Sequence, residues 1–353
     1  MPFRRFQKLG ILTIISVLLA ACTSSPNKTL QGTEQQDGKS NISTSLWLTE
    51  WSYEESLREV SSVIKDIDNI MLFTTYFNES GDFHHTENSD KLIESALMDQ
   101  ELSKKNLFIT IVNDQFLNNG SIVQKNPELL EELLRSSLSR KEHIKQIVEY
   151  VRQYPVDGLE IDYENIPINL TEEFLAFTNE LHNTLAKDNL SLRVLLEPGF
   201  PIEKHPLSNE VNYVVMGYNL HGYHSGPGPK ADFAFLDSLA DKFPNKNGNK
   251  EIALATGGFS WEGTKVAGLT DKQISDLVLK HEPDLQRDEK SGALSFVYYE
   301  KGKTIEVWYA DSTTLVLWSE RLKQNGGYKN ISIWRAGGLT EDTLEVFKQI
   351  KEN

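Results

Sequence analysis

Eight short β-rich runs alternate with longer helical patterns from Leu46 to the end of the chain, and no other feature narrows the fold as far. The runs are Leu46–Glu50, Ile70–Thr75, Leu107–Val112, Val156–Asp162, Ser191–Glu197, Tyr213–Gly217, Glu251–Thr256 and Asn330–Trp334. Between them lie stretches with apolar residues at helical spacing. Ser52–Asp66 carries Leu57, Val60, Val63 and Ile64 on one face, and Ser139–Gln153 carries Ile144, Ile147, Val148 and Val151. Thr171–Lys187 opens on a cap signal at Thr171-Glu172-Glu173, and Glu341–Lys351 closes the chain. Strand-then-helix repetition implies a parallel sheet covered by helices. Eight such units in about 310 residues make an α/β protein with the count of a (β/α)₈ TIM barrel. A doubly wound open sheet is the alternative, but no GxGxxG follows the first run.

One segment, residues about 263–311, breaks the rhythm between strand seven and strand eight. Ala293–Glu300, a Lys301-Gly302-Lys303 turn and Thr304–Tyr309 read as a hairpin within a small α+β insertion. An insertion after a barrel strand extends the face where loops carry function, so it is expected to wall a groove. Asp311-Ser312 is expected to cap the next helix.

The formal net charge is −15, which disfavours nucleic acid as a partner. Cys22 is the single cysteine, so neither an intramolecular disulfide nor a cysteine zinc site can form. His84 and His85 sit in a turn-like stretch, and His221 and His224 flank a glycine-rich loop. None of them has helical metal-ligand spacing, and no metal is expected.

The first 22 residues have the build of an export signal. Arg4, Arg5 and Lys8 precede an apolar run, Leu9 to Ala21, that is short for a membrane span. The run Leu19-Ala20-Ala21-Cys22 resembles the lipobox of bacterial lipoproteins, which implies cleavage before Cys22 and acylation of it. Residues 1–21 are then the signal, residues 22–44 the lipidated cysteine and a polar flexible tether, and residues 45–353 the barrel. The expected location is outside the cytoplasm, lipid-anchored to a membrane and facing cell wall or periplasm. Cleavage removes three positive charges and no negative ones, taking the net charge from −15 to −18.

The most informative run is Val156-Asp157-Gly158-Leu159-Glu160-Ile161-Asp162-Tyr163-Glu164. Strand side chains alternate between faces, so Gly158, Glu160, Asp162 and Glu164 share one face and Leu159, Ile161 and Tyr163 the other. In a barrel the apolar set meets the helices and the acids point inward. Stacked, partly desolvated carboxylates repel one another, which favours keeping at least one protonated near neutral pH. A general acid needs that.

This run resembles the DGxDxDxE signature of family 18 glycoside hydrolases, the chitinase and peptidoglycan-hydrolase family. The resemblance implies that Glu164 is the proton donor and that Asp162 supports the substrate acetamido group. Glu160 stands where the family usually has Asp, in a supporting position, and is expected with Asn219 among the substrate-binding residues. Met216-Gly217-Tyr218-Asn219 is similar to the family MxYD motif, which implies that Tyr218 binds the acetamido carbonyl. Asn219 replaces the usual Asp, keeping hydrogen-bonding capacity without charge. Ile331-Ser332-Ile333-Trp334 is similar to the segment whose Trp floors the sugar site. Trp261, after strand seven, is expected to be similarly placed, and Trp51, after strand one, is a weaker substrate-binding expectation. The loop Asn219 to Pro229 and the insertion end, Val307 to Ser312, resemble the spore-cortex and cell-wall branch.

What the resemblance implies is substrate-assisted hydrolysis with retention, in which the 2-acetamido oxygen serves as nucleophile and no cofactor is needed. The expected partner is an N-acetylated glycan met by a monomeric enzyme, with peptidoglycan first among substrates. Chitin oligosaccharides or N-glycans are the alternative, and a non-catalytic glycan-binding lipoprotein is a further one.

Overall fold

The computed structural model describes residues 42–245 and 250–352. The signal at 1–21, Cys22 and the tether up to residue 41 lie outside the described residues.

Among the described residues eight parallel strands close into a ring: Ser43–Thr49, Asn69–Asn78, Asn106–Phe116, Gly158–Asp162, Ser191–Leu196, Asn212–Met216, Lys250–Ala255 and Asn330–Trp334. Each pairs with the next, and the first closes on the eighth from Ser43 beside Asn330 to Leu46 beside Ile333. Closure makes this a (β/α)₈ barrel and excludes the open sheet. Strand one starts earlier than expected. Thr44, assigned to the tether, is buried, and its backbone N–H donates to Asp68 Oδ2 at 2.9 Å.

The two faces of strand four separate as alternation requires. Leu159, Ile161 and Tyr163 join the layer between strands and helices, with Ile144, Ile147, Phe174, Phe177 and Leu181. Each such fully buried aliphatic side chain stabilises the fold by roughly 1.5–3 kcal/mol. A slip of one residue would turn the acids into that layer. Gly158 is required by close approach: a Cβ there would lie 2.4 Å from the Ser191 carbonyl oxygen and 2.5 Å from the Phe108 ring.

The helix on Ser137–Val151 starts on a reciprocal cap, with Ser136 accepting from Ser139 N–H and Ser139 accepting from Ser136 N–H. Thr171 does not cap. The helix Thr171–Leu185 continues from a 3₁₀ turn at Ile168–Leu170, so the Thr171 hydroxyl donates back to the Ile168 carbonyl at 3.0 Å.

The insertion begins earlier than residue 263. Gly257 has φ +64°, and a Cβ on it would lie 2.2 Å from the Leu269 carbonyl oxygen, so a glycine turns the chain out of the barrel there. Gly257–Glu262 is therefore the first strand of an antiparallel sheet with Lys265–Leu269, Gln286–Arg287, Leu294–Glu300 and Lys303–Ala310. The expected hairpin forms, from Leu294 beside Tyr309 to Glu300 beside Lys303. Helix Asp271–His281 packs on this sheet through Ile274, with Phe296, Ile305 and Val307. Asp311 caps the following helix, accepting from Thr314 N–H at 2.9 Å.

Candidate active site

A cleft of about 320 Å³ opens at the carboxyl ends of the barrel strands. Asp162 and Glu164 enter it from strand four, Tyr218 and Asn219 from strand six, Trp334 from strand eight and Trp51 from the turn after strand one. In barrels of this kind the strand ends and the loops after them carry the chemistry.

Glu164 is 8% exposed. Its backbone is clamped by Asn113 of strand three: Glu164 N–H donates to Asn113 Oδ1, and Asn113 Nδ2 donates to the Glu164 carbonyl, both at 3.0 Å. The carboxylate itself accepts from Lys125 Nζ. Lys125 sits at the end of the loop after strand three, held where its N–H donates to Asp114 Oδ1 at 2.7 Å. Burial raises the Glu164 pKa, the Lys125 ammonium pulls it back, and the net effect leaves it raised from its usual value. Burial alone would depress Lys125, but Glu164, Asp162 and Glu197 more than offset it, so the ammonium stays charged.

Asp162 is 4% exposed, and its Oδ1 is buried with no hydrogen-bond partner among the described residues. Burial first, then the charges of Glu164 and Glu160, push its carboxyl well above the usual range. The two acids cannot both ionise cheaply, which favours keeping a proton on the pair. An orphaned buried acceptor costs free energy unless a ligand satisfies it, and Asp162 is open to an N–H donor brought by one. Tyr218 adds a buried phenol whose pKa burial and these acids raise, so it stays a hydrogen-bond donor.

Trp334 meets Trp47 edge-on at 5.8 Å and Phe73 at 5.1 Å, which fixes its ring at the cleft floor. Trp51 is 48% exposed on the rim, braced edge-on by Phe73 at 5.5 Å. Asn219 lines the cleft with φ +64°, a conformation Asn tolerates better than most residues.

Two expected substrate-binding residues are elsewhere. Trp261 is 3% exposed and belongs to the insertion sheet, because the turn at Gly257 carries it away from the cleft. Its indole N–H donates to the Ser225 carbonyl at 3.1 Å, tying the loop after strand six to the insertion. Glu160 is fully buried one layer below the cleft. It accepts from Trp47 Nε1 at 2.6 Å, Thr110 Oγ1 at 2.8 Å and Arg193 Nε at 3.0 Å. Arg193 in turn donates to Glu251 Oε1 at 2.6 Å. Glu160 therefore closes a buried ion-pair network, and its longer side chain is used in reaching these donors.

Asn113, Asp114, Lys125 and Arg193 were not expected. Arg193 had a signal, a lone cation in an otherwise apolar strand, and it pairs in register with Glu160. Lys125 had none, since its contact spans 39 residues of sequence.

The chain is similar to known proteins along most of its barrel. The family model for glycosyl hydrolases family 18 matches residues 123–338. A Bacillus subtilis protein named "uncharacterized glycosylase YvbX" is 22% identical over 250 residues, 65% of this chain and 72% of that protein. The crystal structure of a chitinase from Chromobacterium violaceum superposes with a TM-score of 0.74 at 15% identity, covering 88% of this chain and 99% of that one. The Bacillus cereus spore cortex-lytic enzyme SleL gives 0.73 at 15% identity, covering 88% of this chain and 74% of that one. At these identities the superpositions speak for the fold, whereas the family match spans more than half of the sequence and includes Asp162, Glu164, Tyr218 and Trp334. The chain belongs to glycosyl hydrolases family 18.

Proposed function

We propose that this glycoside hydrolase cleaves the β-1,4 bond at N-acetylglucosamine in peptidoglycan, with retention and with the substrate acetamido group as nucleophile. The observation that carries the reading is the buried oxygen of Asp162, without a hydrogen-bond partner among the described residues, in a cleft that Glu164 and Tyr218 also line. An acetamido group offers the N–H that this oxygen lacks and a carbonyl oxygen that Tyr218 O–H can hold.

In the first step Glu164 gives its proton to the glycosidic oxygen as the bond from that oxygen to the anomeric carbon breaks. The acetamido oxygen forms a new bond to the same carbon, giving an oxazolinium ion. Positive charge spreads onto the acetamido nitrogen, where Asp162 stabilises it. Tyr218 fixes the carbonyl for attack and Trp334 supports the ring. In the second step Glu164 takes a proton from water, whose oxygen attacks the anomeric carbon and reopens the oxazolinium. Two inversions leave the configuration retained.

The cell-wall substrate is supported by the loop and insertion similar to the spore-cortex branch, and by the fold shared with a spore cortex-lytic enzyme. The lipobox-like run ending at Cys22 supports an exported enzyme held on a membrane by its acylated cysteine. A second reading, the same chemistry on chitin oligosaccharides, is favoured by the similar chitinase.

Digestion of purified peptidoglycan, N-acetylglucosamine oligomers and a glycoprotein in parallel, with products identified by mass, tests the reading. Peptidoglycan fragments ending in N-acetylglucosamine are expected, and Glu164→Gln is expected to lose about 10²–10⁴-fold in turnover while still binding the glycan. Binding without turnover in the parent protein would mean a glycan-binding protein instead.

A further inference from the structure

Beside the catalytic cleft lies a second cavity of about 360 Å³, between the insertion and the ends of strands seven and eight. Trp334 lines both, so the two cavities adjoin at its ring. Two cations, Lys230 and Arg335, line this second cavity in a chain whose net charge is −15. Among the described residues neither forms an ion pair. Lys230 Nζ donates to the Thr256 carbonyl at 2.5 Å and lies 5.2 Å from the centre of the Phe259 ring. An ammonium has three donors, and among the described residues only one is used. Arg335 lies over the Trp51 ring at 5.2 Å. It spends Nη1 on Thr49, Ser52 and the carbonyls of Ala336 and Gly337, and its other nitrogens donate to no described protein atom.

The nearby acids attract the two cations without forming an ion pair with either among the described residues. Asp271 attracts Lys230, but its Oδ1 accepts from Gly257 N–H at 2.5 Å. Glu59, which attracts Arg335 along with Glu55, accepts instead from the backbone N–H groups of Gly337, Gly338 and Leu339. Burial pulls the Lys230 pKa down to about 8, Asp271 resists, and Arg335 adds to the fall. An anion between the two cations would reverse that trend and use their free donors.

Resting on the glycosidase reading above, we infer that this cavity is an anion subsite in which Lys230 and Arg335 take a carboxylate carried by a sugar adjoining the one cleaved. In peptidoglycan that carboxylate comes from the lactyl group of N-acetylmuramic acid or from the stem peptide joined to it. Neutral N-acetylglucosamine oligomers have neither, so the subsite distinguishes wall glycan from chitin.

The test compares kcat/KM for three substrates: an N-acetylglucosamine oligomer, wall glycan stripped of stem peptides with its lactyl carboxylates free, and wall glycan with stem peptides attached. In Lys230→Met the ratio of kcat/KM on a carboxylate glycan to that on the neutral oligomer is expected to fall ~10-fold, the value of one charge-assisted contact, and Lys230→Arg is expected to restore it. Whichever carboxylate glycan loses more identifies the lactyl or the peptide source. An unchanged ratio, or equal losses on all three substrates, overturns the subsite. The parent enzyme offers a check free of folding effects: amidating the glycan carboxylates should lower kcat/KM by a similar factor, and no change overturns the subsite. Failure of the parent to cut any of the three would sink the glycosidase reading and the subsite with it. Cutting with no carboxylate preference would sink the subsite alone.

Discussion

Removing Lys125 is expected to make the enzyme work at higher pH. On the proposed mechanism Glu164 must carry, in the free enzyme, the proton it will donate, and the alkaline limb of kcat/KM against pH marks where that proton is lost. The Lys125 ammonium touches the Glu164 carboxylate and favours the ionised form. Two unit charges about 4 Å apart interact by about 4 kcal/mol at an effective dielectric constant of ~20. The Lys125 side chain is 40% exposed, so solvent screening brings the value down to about 1 kcal/mol. At about 1.4 kcal/mol per factor of ten, that favours the ionised form roughly fivefold. The other charged or titratable groups in reach are Asp162, Asp114, Glu197 and Tyr218, and Lys125→Met leaves them in place. The Glu164 pKa therefore rises in Lys125→Met, and the alkaline limb moves up by roughly 0.5–1 pH unit. The assay is a kcat/KM profile on a soluble N-acetylglucosamine oligomer for both proteins. A limb that stays put or moves to lower pH would refute the electrostatic role given to Lys125.

Asp162→Asn should cost about 10²–10³-fold in kcat with a smaller change in KM, because on the proposed mechanism the charge it removes acts on the oxazolinium and not on the bound ground state; steady-state kinetics reads this. Glu160→Ala should destabilise the fold by about 3–5 kcal/mol, since Arg193 loses one of its two buried carboxylate partners; denaturant unfolding measures it.

The barrel was legible because each of its strands is buried on both sides with a fixed inward and outward register. Leu159 and Ile161 against Glu160 and Asp162 give that register away without any knowledge of neighbours. Depth along the barrel axis is not encoded by alternation. Glu160 and Asp162 share a face, yet one sits in a sealed layer with Trp47 and Arg193 and the other meets the cleft. Trp261 misled for a related reason. Its distance from strand seven fits a cleft residue, but the left-handed turn at Gly257 redirects the chain, and only a Gly-Gly pair hints at it. The pairing of Lys125 with Glu164 arises from a loop fold that brings distant residues together, and no local pattern announces it.

The central claim is that the substrate acetamido group, and not a protein side chain or a water molecule, attacks the anomeric carbon. Proton NMR of the new reducing end during the first minutes of hydrolysis tests it most directly. The β-anomer should appear first and mutarotate afterwards, and an oligomer lacking 2-acetamido groups should not be cut. An α-anomer appearing first, or equal cleavage of the sugar without the acetamido group, would contradict the account.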